Sequence, residues 1–280
     1  MKKTAIAILI AVLVVVIGGT LLCAGLSAVH FDFSKLDRTE YTTNTYDFED
    51  PVARIDMKGW TADLDLLAAE DGRCRVISAE SDREQYSVAL ENGTLSIRPV
   101  TDIKKWSLFS FKSPKITVYL PAGTYESLTV DLGTGDVTAD KVLAFGTVDI
   151  QISTGDVALN GVRADKVTAH GSTGDIRLSD MTPETLTVTL STGRIVLKNV
   201  VCSGDLRCKS TTGDIQLTDV DGADLYLTAT TGDITGTIRT EKTFSATAST
   251  GKVSVPDTTG AGRCEASTST GDIRLSISGK

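Results

Sequence analysis

Aromatic side chains are scarce in this 280-residue chain, 5% in all, and so are Pro (6), Met (3) and His (2). Few large rings argue against a thick core and suit a thin one filled by aliphatic and small side chains. Two histidines and five scattered cysteines leave little material for a zinc centre or a His-based triad. Basic charge is also short: 28 Lys and Arg face 36 Asp and Glu, a net charge of −8. That balance excludes the basic stripe of a nucleic-acid surface. What is present is glycine, at 25, in a chain 41% apolar and 23% charged, a globular composition rather than a disordered one.

The one long apolar run lies at the start. Met1-Lys2-Lys3 precedes an uncharged stretch from Thr4 to Val29, rich in Ala, Ile, Leu and Val. About 20 apolar residues span a bilayer as a helix. The run therefore predicts a cytoplasmic N-terminus over 1–4 and a transmembrane helix over 5–29. Two lysines before it and Asp32 after it place the remainder outside by the positive-inside rule. A cleaved signal peptide is the competing reading, because Gly25-Leu26-Ser27 offers a small-x-small site. Cys23 hints at lipoprotein processing, but Leu22 stands where a small residue is expected. Residues 30–50 are polar, without a period, and read as a tether.

Beyond the tether the chain repeats. Thr-Gly recurs with glycines at Gly135, Gly155, Gly174, Gly193, Gly213, Gly232, Gly251 and Gly271, always 19 or 20 residues apart. Asp follows in six copies: Asp136, Asp156, Asp175, Asp214, Asp233 and Asp272. Arg194 and Lys252 follow in the other two. Next comes a β-branched apolar residue every time, from Val137 to Ile273. Apolar residues alternate with polar ones on both sides of the glycine, as in Leu186-Thr187-Val188 and Ile215-Gln216-Leu217. A period of two means two short strands meeting at a glycine corner.

A unit of 19–20 residues cannot bury its own apolar face, so neighbours must stack. The expected fold is all-β: a parallel β-solenoid, or β-helix, over 126–280, wound as a single chain and preceded by the one transmembrane helix. Strands there pair about 4.8 Å apart. Looser strands at Arg73–Ala79, Tyr86–Leu90, Thr94–Pro99 and Lys115–Leu120 form irregular early coils over 51–125 that cap the stack. Asp102–Ser113 reads as a loop and Glu91-Asn92-Gly93 as a turn.

These features together resemble a family. A loose N-terminal strand set, then Val118-Tyr119-Leu120-Pro121-Ala122-Gly123, then Ser-Thr-Gly-Asp-Ile coils, is similar to a bacterial family of unknown function over about residues 50–280. Its members are known as putative adhesins, commonly behind one N-terminal transmembrane helix. The resemblance implies fold, envelope location and a neighbourhood of envelope-stress or regulatory systems. It brings no catalytic residue.

The most tempting chemistry is the Asp column. In sequence order, Asp136, Asp156 and Asp175 form one row, and Asp214 and Asp233 another, near 4.8 Å apart. Calcium would relieve the repulsion, which makes these five weak calcium candidates. Arg194 interrupts the row after Asp175, and Lys252 is expected between Asp233 and Asp272. The structural alternative has each Asp accept corner N–H bonds. The eight glycines read as structural corners. They form no strand-to-helix phosphate cradle. Coils without insertions leave no cleft wall for a polysaccharide-active site, and His170 is expected on an outward column without a partner. The chain is therefore expected to be no enzyme and to need no cofactor. Cys208 and Cys264, three coils apart in sequence order, stand too far apart for a disulfide.

The expectation is a membrane-anchored, extracytoplasmic binding or scaffolding surface, adhesin-like in kind. Its partners would be the membrane, through the helix, and an envelope protein or a surface glycan. A regulatory partner of an envelope-stress sensing system is the alternative, and a polysaccharide-active enzyme the weakest one.

Overall fold

The computed structural model describes residues 41–81, 84–100, 114–140 and 143–279. The helix expected over 5–29 and the loop over Asp102–Ser113 lie outside the described residues.

Every regular element described is a strand. β1 (Thr42–Phe48) enters first, then β2 (Arg54–Thr61) and β3 (Asp63–Ala68), which meet at Ala62. A cap follows, made of β4 (Cys74–Glu80), β5 (Tyr86–Glu91), β6 (Thr94–Pro99) and β7 (Lys115–Leu120). The eight Thr-Gly corners then join eight strand pairs. The first four are β8 (Thr124–Thr134) with β9 (Val137–Ala139), β10 (Ala144–Thr154) with β11 (Val157–Asn160), β12 (Arg163–Thr173) with β13 (Ile176–Met181), and β14 (Thr185–Thr192) with β15 (Ile195–Val200). The last four are β16 (Leu206–Thr212) with β17 (Ile215–Val220), β18 (Leu225–Thr231) with β19 (Ile234–Ile238), β20 (Thr243–Thr250) with β21 (Val253–Ser254), and β22 (Arg263–Thr270) with β23 (Ile273–Ile277).

Each coil contributes one strand to each of two sheets. Sheet A has 12 strands in the order β1-β4-β7-β3-β9-β11-β13-β15-β17-β19-β23-β21. Sheet B has 11, in the order β20-β22-β18-β16-β14-β12-β10-β8-β2-β6-β5. The inward columns are aliphatic and buried: Leu128, Val148, Val167, Leu186, Leu206 and Leu225 face Ile195, Leu197, Ile215 and Leu217 across a thin core. Burial of that kind contributes about 1.5–3 kcal/mol per large aliphatic side chain.

Steric exclusion requires glycine at the corner. Gly193 has φ 130°, and a Cβ built on it would stand 1.8 Å from the Gly174 carbonyl oxygen of the neighbouring coil. Its N–H donates to the Thr212 carbonyl of the next coil, the same bond that Gly174 makes to Thr192. A ninth coil, β2–β3, does without glycine. Ala62 keeps the N–H bond, to the Thr134 carbonyl, but its φ is not positive. On its other side the neighbour is Pro114, just before β7, whose carbonyl accepts the Asp63 N–H, not another glycine corner.

Three expectations change. The polar stretch over 30–50 is not all tether, because Thr42–Phe48 pairs antiparallel with β4 and turns Tyr46 and Phe48 toward the core. The solenoid begins at Arg54, and the antiparallel strands of the cap are inserted, in chain order, between its first and second coils. Coil order also departs from chain order. The last coil, β22–β23, lies between β18–β19 and β20–β21, with Thr228 opposite Ser267 and Ala246 opposite Ala266. Lys252 thus stands beyond Asp272, at the end of the stack, and Asp233 and Asp272 are direct neighbours. Cys208 and Cys264 are two coils apart rather than three and two residues out of register, about 12 Å at strand spacing and rise. Cys74, Cys202, Cys208 and Cys264 are all free and buried.

A buried ion pair fastens the connection that skips a place. Lys242 lies 3.0 Å from Asp221 and donates to the Gly222 carbonyl at 2.6 Å. Adjacent parallel strands stand within disulfide reach, and strands two apart do not. A Thr228→Cys, Ser267→Cys pair is therefore expected to oxidise readily, and a Thr228→Cys, Thr247→Cys pair to stay reduced. Sequential stacking would give the reverse on a non-reducing gel. The corner makes a second forecast. Gly193→Val should lower the melting temperature more than Asp175→Ala, because it adds a backbone collision to a φ strain of about 1–3 kcal/mol.

Candidate binding surface

The Asp column resolves into a hydrogen-bonded ladder. Asp63 Oδ1 accepts the Asp136 N–H at 3.0 Å, Asp136 accepts that of Asp156 at 2.8 Å, and Asp156 that of Asp175 at 2.7 Å. Asp175 accepts the Arg194 N–H at 2.8 Å. The second run goes from Asp214 to Asp233, Asp272 and finally Lys252, which donates its N–H at 2.8 Å and offers no carboxylate onward. Asp63, in an Ala62-Asp63-Leu64-Asp65-Leu66 segment that echoes the corner pattern, extends the first row, and the contact of Asp233 with Asp272 extends the second.

Arginines occupy many of the second carboxylate oxygens. Arg177 bridges Asp156 at 2.7 Å and Asp175 at 2.5 Å, and Arg194 adds a contact to Asp175 at 2.7 Å. Arg274 bridges Asp233, at 2.9 Å, and Asp272. Burial alone would raise the Asp175 carboxyl. The Arg194 N–H and guanidinium, with the charges of Arg177 and Arg194, hold it below the usual carboxylate value. The Lys252 N–H and Arg274 do the same for Asp272. Among the described residues, no group of three or more His, Cys, Asp or Glu is placed to hold a metal ion.

A second column of left-handed residues runs six positions after the corner glycine: Gly161, Asp180, Asn199 and Asp219, at φ 53–66°. Asn199 donates to Asp180 at 2.5 Å, and Arg239 to Asn199. The signal for it was available, since Gly, Asn and Asp are the residues that tolerate this conformation.

The outer face of sheet B is polar. His170 is exposed there, in register with Gln151 and Thr189. Its densest chemistry crosses three neighbouring coils. The Arg207 guanidinium stacks 3.8 Å from the centroid of the Tyr226 ring, and Arg263 reaches the Tyr226 hydroxyl at 3.2 Å and Asp224 at 3.3 Å. Such cation–π contacts contribute roughly 0.5–1 kcal/mol at exposed sites.

A cleft of 510 Å³ opens in the cap between Phe48–Val52, Gly72–Cys74 and Pro121–Tyr125. The Tyr125 hydroxyl donates to the Pro121 carbonyl at 2.6 Å. Burial, with the charge of Asp47, pushes the Cys74 thiol up to about 11, which favours the protonated thiol over the thiolate. Burial likewise pushes Cys202 and Cys264 up to about 12.

With this geometry in view, comparison with known proteins is decisive for the family. A family model described as Toastrack DUF4097 matches residues 52–250 and 205–280. The chain belongs to the Toastrack DUF4097 family. Among solved structures, a "putative adhesin" from Bacteroides fragilis is similar at 17% identity and a TM-score of 0.55, covering 84% of this chain and 97% of its own. That likeness shows a shared fold. More remote are a "putative adhesin" from Parabacteroides merdae, at 13% identity, and a "putative lipid binding protein" from Parabacteroides distasonis, at 16%. Each has a TM-score of 0.43. The first covers 85% of this chain and the second 84%, with 97% of their own chains in both cases. No curated protein matches the sequence. The Toastrack coils thus carry their most regular chemistry, the Asp ladder, in contacts between one coil and the next.

A carboxyl held low in the folded state stabilises the fold above its unfolded value, here 3.8, and that stabilisation is lost as pH falls through the lower folded value. Thermal stability is therefore expected to drop below about pH 4, and Asp175→Asn should flatten the drop while lowering stability at pH 7. EDTA is expected to leave the pH 7 melt unchanged. A large EDTA-induced fall abolished by Asp175→Asn would instead make the ladder a calcium site.

Proposed function

We propose that this Toastrack protein is an adhesin-like binding or scaffolding surface of the bacterial cell envelope, and that it acts by contact rather than catalysis. The observation that carries the reading is the outer face of sheet B. Successive coils from β8 to β18 lie in continuous parallel register there, so hydroxyl and charged side chains form a rigid array about 4.8 Å apart. Such a face meets a partner with little ordering cost, because its side chains already stand on a packed scaffold. The ligand chemistry it suits is a surface glycan or the polar face of an envelope protein.

The apolar run of residues 4–29 supports an anchor in the same reading: a single-pass helix over 5–29, its N-terminus cytoplasmic and Lys280 outside. Protease added to intact protoplasts is expected to remove the repeat region and leave a short membrane-bound N-terminal fragment. A released, soluble species beginning near residue 28 would show a cleaved signal instead. For the surface itself, a photo-crosslinker at Thr189, half-buried on the outer face, should capture envelope material that one at inward Val188 does not. Equal yields from both positions would remove the face as the contact site.

A further inference from the structure

Three of the four free strands at the sheet ends are guarded. The outermost strands are β1 and β21 in sheet A and β20 and β5 in sheet B. β1 carries Asp47 and β5 ends on Glu91, and a charge on an edge strand discourages another chain from pairing with it. β21 is two residues long and follows Lys252 directly. β20 has none of these guards. Its eight residues, Thr-Phe-Ser-Ala-Thr-Ala-Ser-Thr, hold no charge, no proline and no glycine. The lysine just before it, Lys242, is turned into the fold onto Asp221 and the Gly222 carbonyl.

The backbone of β20 is half used. The Thr243 N–H donates to the Gly262 carbonyl at 3.0 Å, and Thr243 stands opposite Arg263 of β22. Successive residues of a strand turn their N–H and C=O groups to opposite sides, so Ser245 and Thr247 also face β22. Phe244, Ala246 and Ala248 then present theirs at the open edge. Among the described residues, no strand pairs with β20 on that side. The side chains of the same three residues are only partly buried, and Val253 of the same coil is 44% exposed. The core is open where the ladder is open.

This edge has the same character in both directions. Under a twofold axis through Ala246, Phe244 meets Ala248, Ser245 meets Thr247 and Thr243 meets Ser249. Apolar falls on apolar and hydroxyl on hydroxyl at every position, and the one large side chain falls on a small one. An isologous contact requires this, because the same patch serves both partners. The backbone agrees with the register. The three residues with outward groups pair among themselves, Phe244 with Ala248 twice and Ala246 with its own copy, which gives about six backbone hydrogen bonds. Ser245 and Thr247 then form non-hydrogen-bonded pairs, with Cα atoms about 4.5 Å apart, where side chains approach most closely. An unrelated strand would meet the backbone groups equally well. The palindromic order is a demand that a second copy makes.

We propose that β20 is a twofold joint: two copies of this chain pair their β20 strands antiparallel, and sheet B runs from one solenoid into the other. Phe244, Ala246 and Ala248 of each copy cover the open core of its partner, and the hydroxyl rows of the outer face continue across the joint. The joint stands independently of the ligand and of the anchor proposed above.

Full-length protein in detergent is expected to sediment as a dimer. Ser245→Lys with Thr247→Lys sets lysine opposite lysine across the axis, at two exposed positions. That pair should shift the protein to the monomer while leaving its far-ultraviolet circular dichroism unchanged. Crosslinking reads the register, in chains that carry Cys23→Ala, the four described cysteines being buried. Ser245→Cys and Thr247→Cys proteins, co-expressed and then oxidised with copper phenanthroline, should give several-fold more disulfide dimer than either variant alone. Wild-type protein that stays monomeric would overturn the proposal. A dimer that the two lysines leave intact would also overturn it, since the contact would then lie elsewhere on the chain. Co-expressed variants that crosslink no better than each alone would overturn the antiparallel register. An open-ended series of larger species would overturn the twofold joint, because pairing uses up the one β20 edge of each copy.

Discussion

The closeness of backbone to backbone at the corner governs the rest of the structure. Each Cβ missing from Gly155, Gly174, Gly193 and Gly213 would lie within 2.0 Å of a carbonyl oxygen in the adjacent coil. Because nothing stands there, the glycine N–H reaches the next threonine carbonyl and the following Asp Oδ1 reaches the next coil's N–H. The corner thereby leaves its backbone donors satisfied. Two short strands, which alone could bury almost nothing, are brought into register by that contact. The apolar columns then align coil after coil, and the thin core follows from the spacing.

The same ladder accounts for the order of the last coils. Sequential stacking would set Lys252 between Asp233 and Asp272, leaving the Asp272 N–H to face a lysine. In the observed order Asp272 receives its carboxylate from Asp233, and Arg274 clamps both. Lys252 ends the ladder at a place where no further coil asks for an acceptor. A lysine on the final edge also discourages another chain from adding there. Phe244, Ala246 and Ala248 in that outermost coil remain only partly buried, as expected of a face packed on one side.

Much of this was legible because the corner's demands are local and repeat eight times. Glycine, the β-branched residue and the alternation name the strands and the turn between them without reference to the remainder of the chain. Coil order was not legible by the same means, since the coils around Gly251 and Gly271 satisfy one pattern and either could occupy either place. Only the residue after the glycine distinguishes them, and its meaning depends on knowing that each Asp serves the neighbouring coil. β1 escaped notice because Tyr46 and Phe48 are too few to display a period. Arg177 and Arg274 read as ordinary outward residues until the rows of carboxylate beside them are seen. The outer face of sheet B was legible as polar, while the Arg207–Tyr226–Arg263 stack depends on coil insertion bringing residue 263 beside residue 226.

The inserted final coil has a mechanical consequence. In a stack wound in simple order the C-terminus belongs to the outermost strand, and a pull on it peels a single ladder, rung by rung. Here the terminal strand β23 is bonded on both sides, to β19 and to β21, and its partner β22 to β18 and β20. Tension applied near Lys280 must shear two ladders together, while the exposed outer coil is a closed loop with no free end to start an unzipping. The far end of the solenoid is thus its mechanically protected end, although it is the less well buried one.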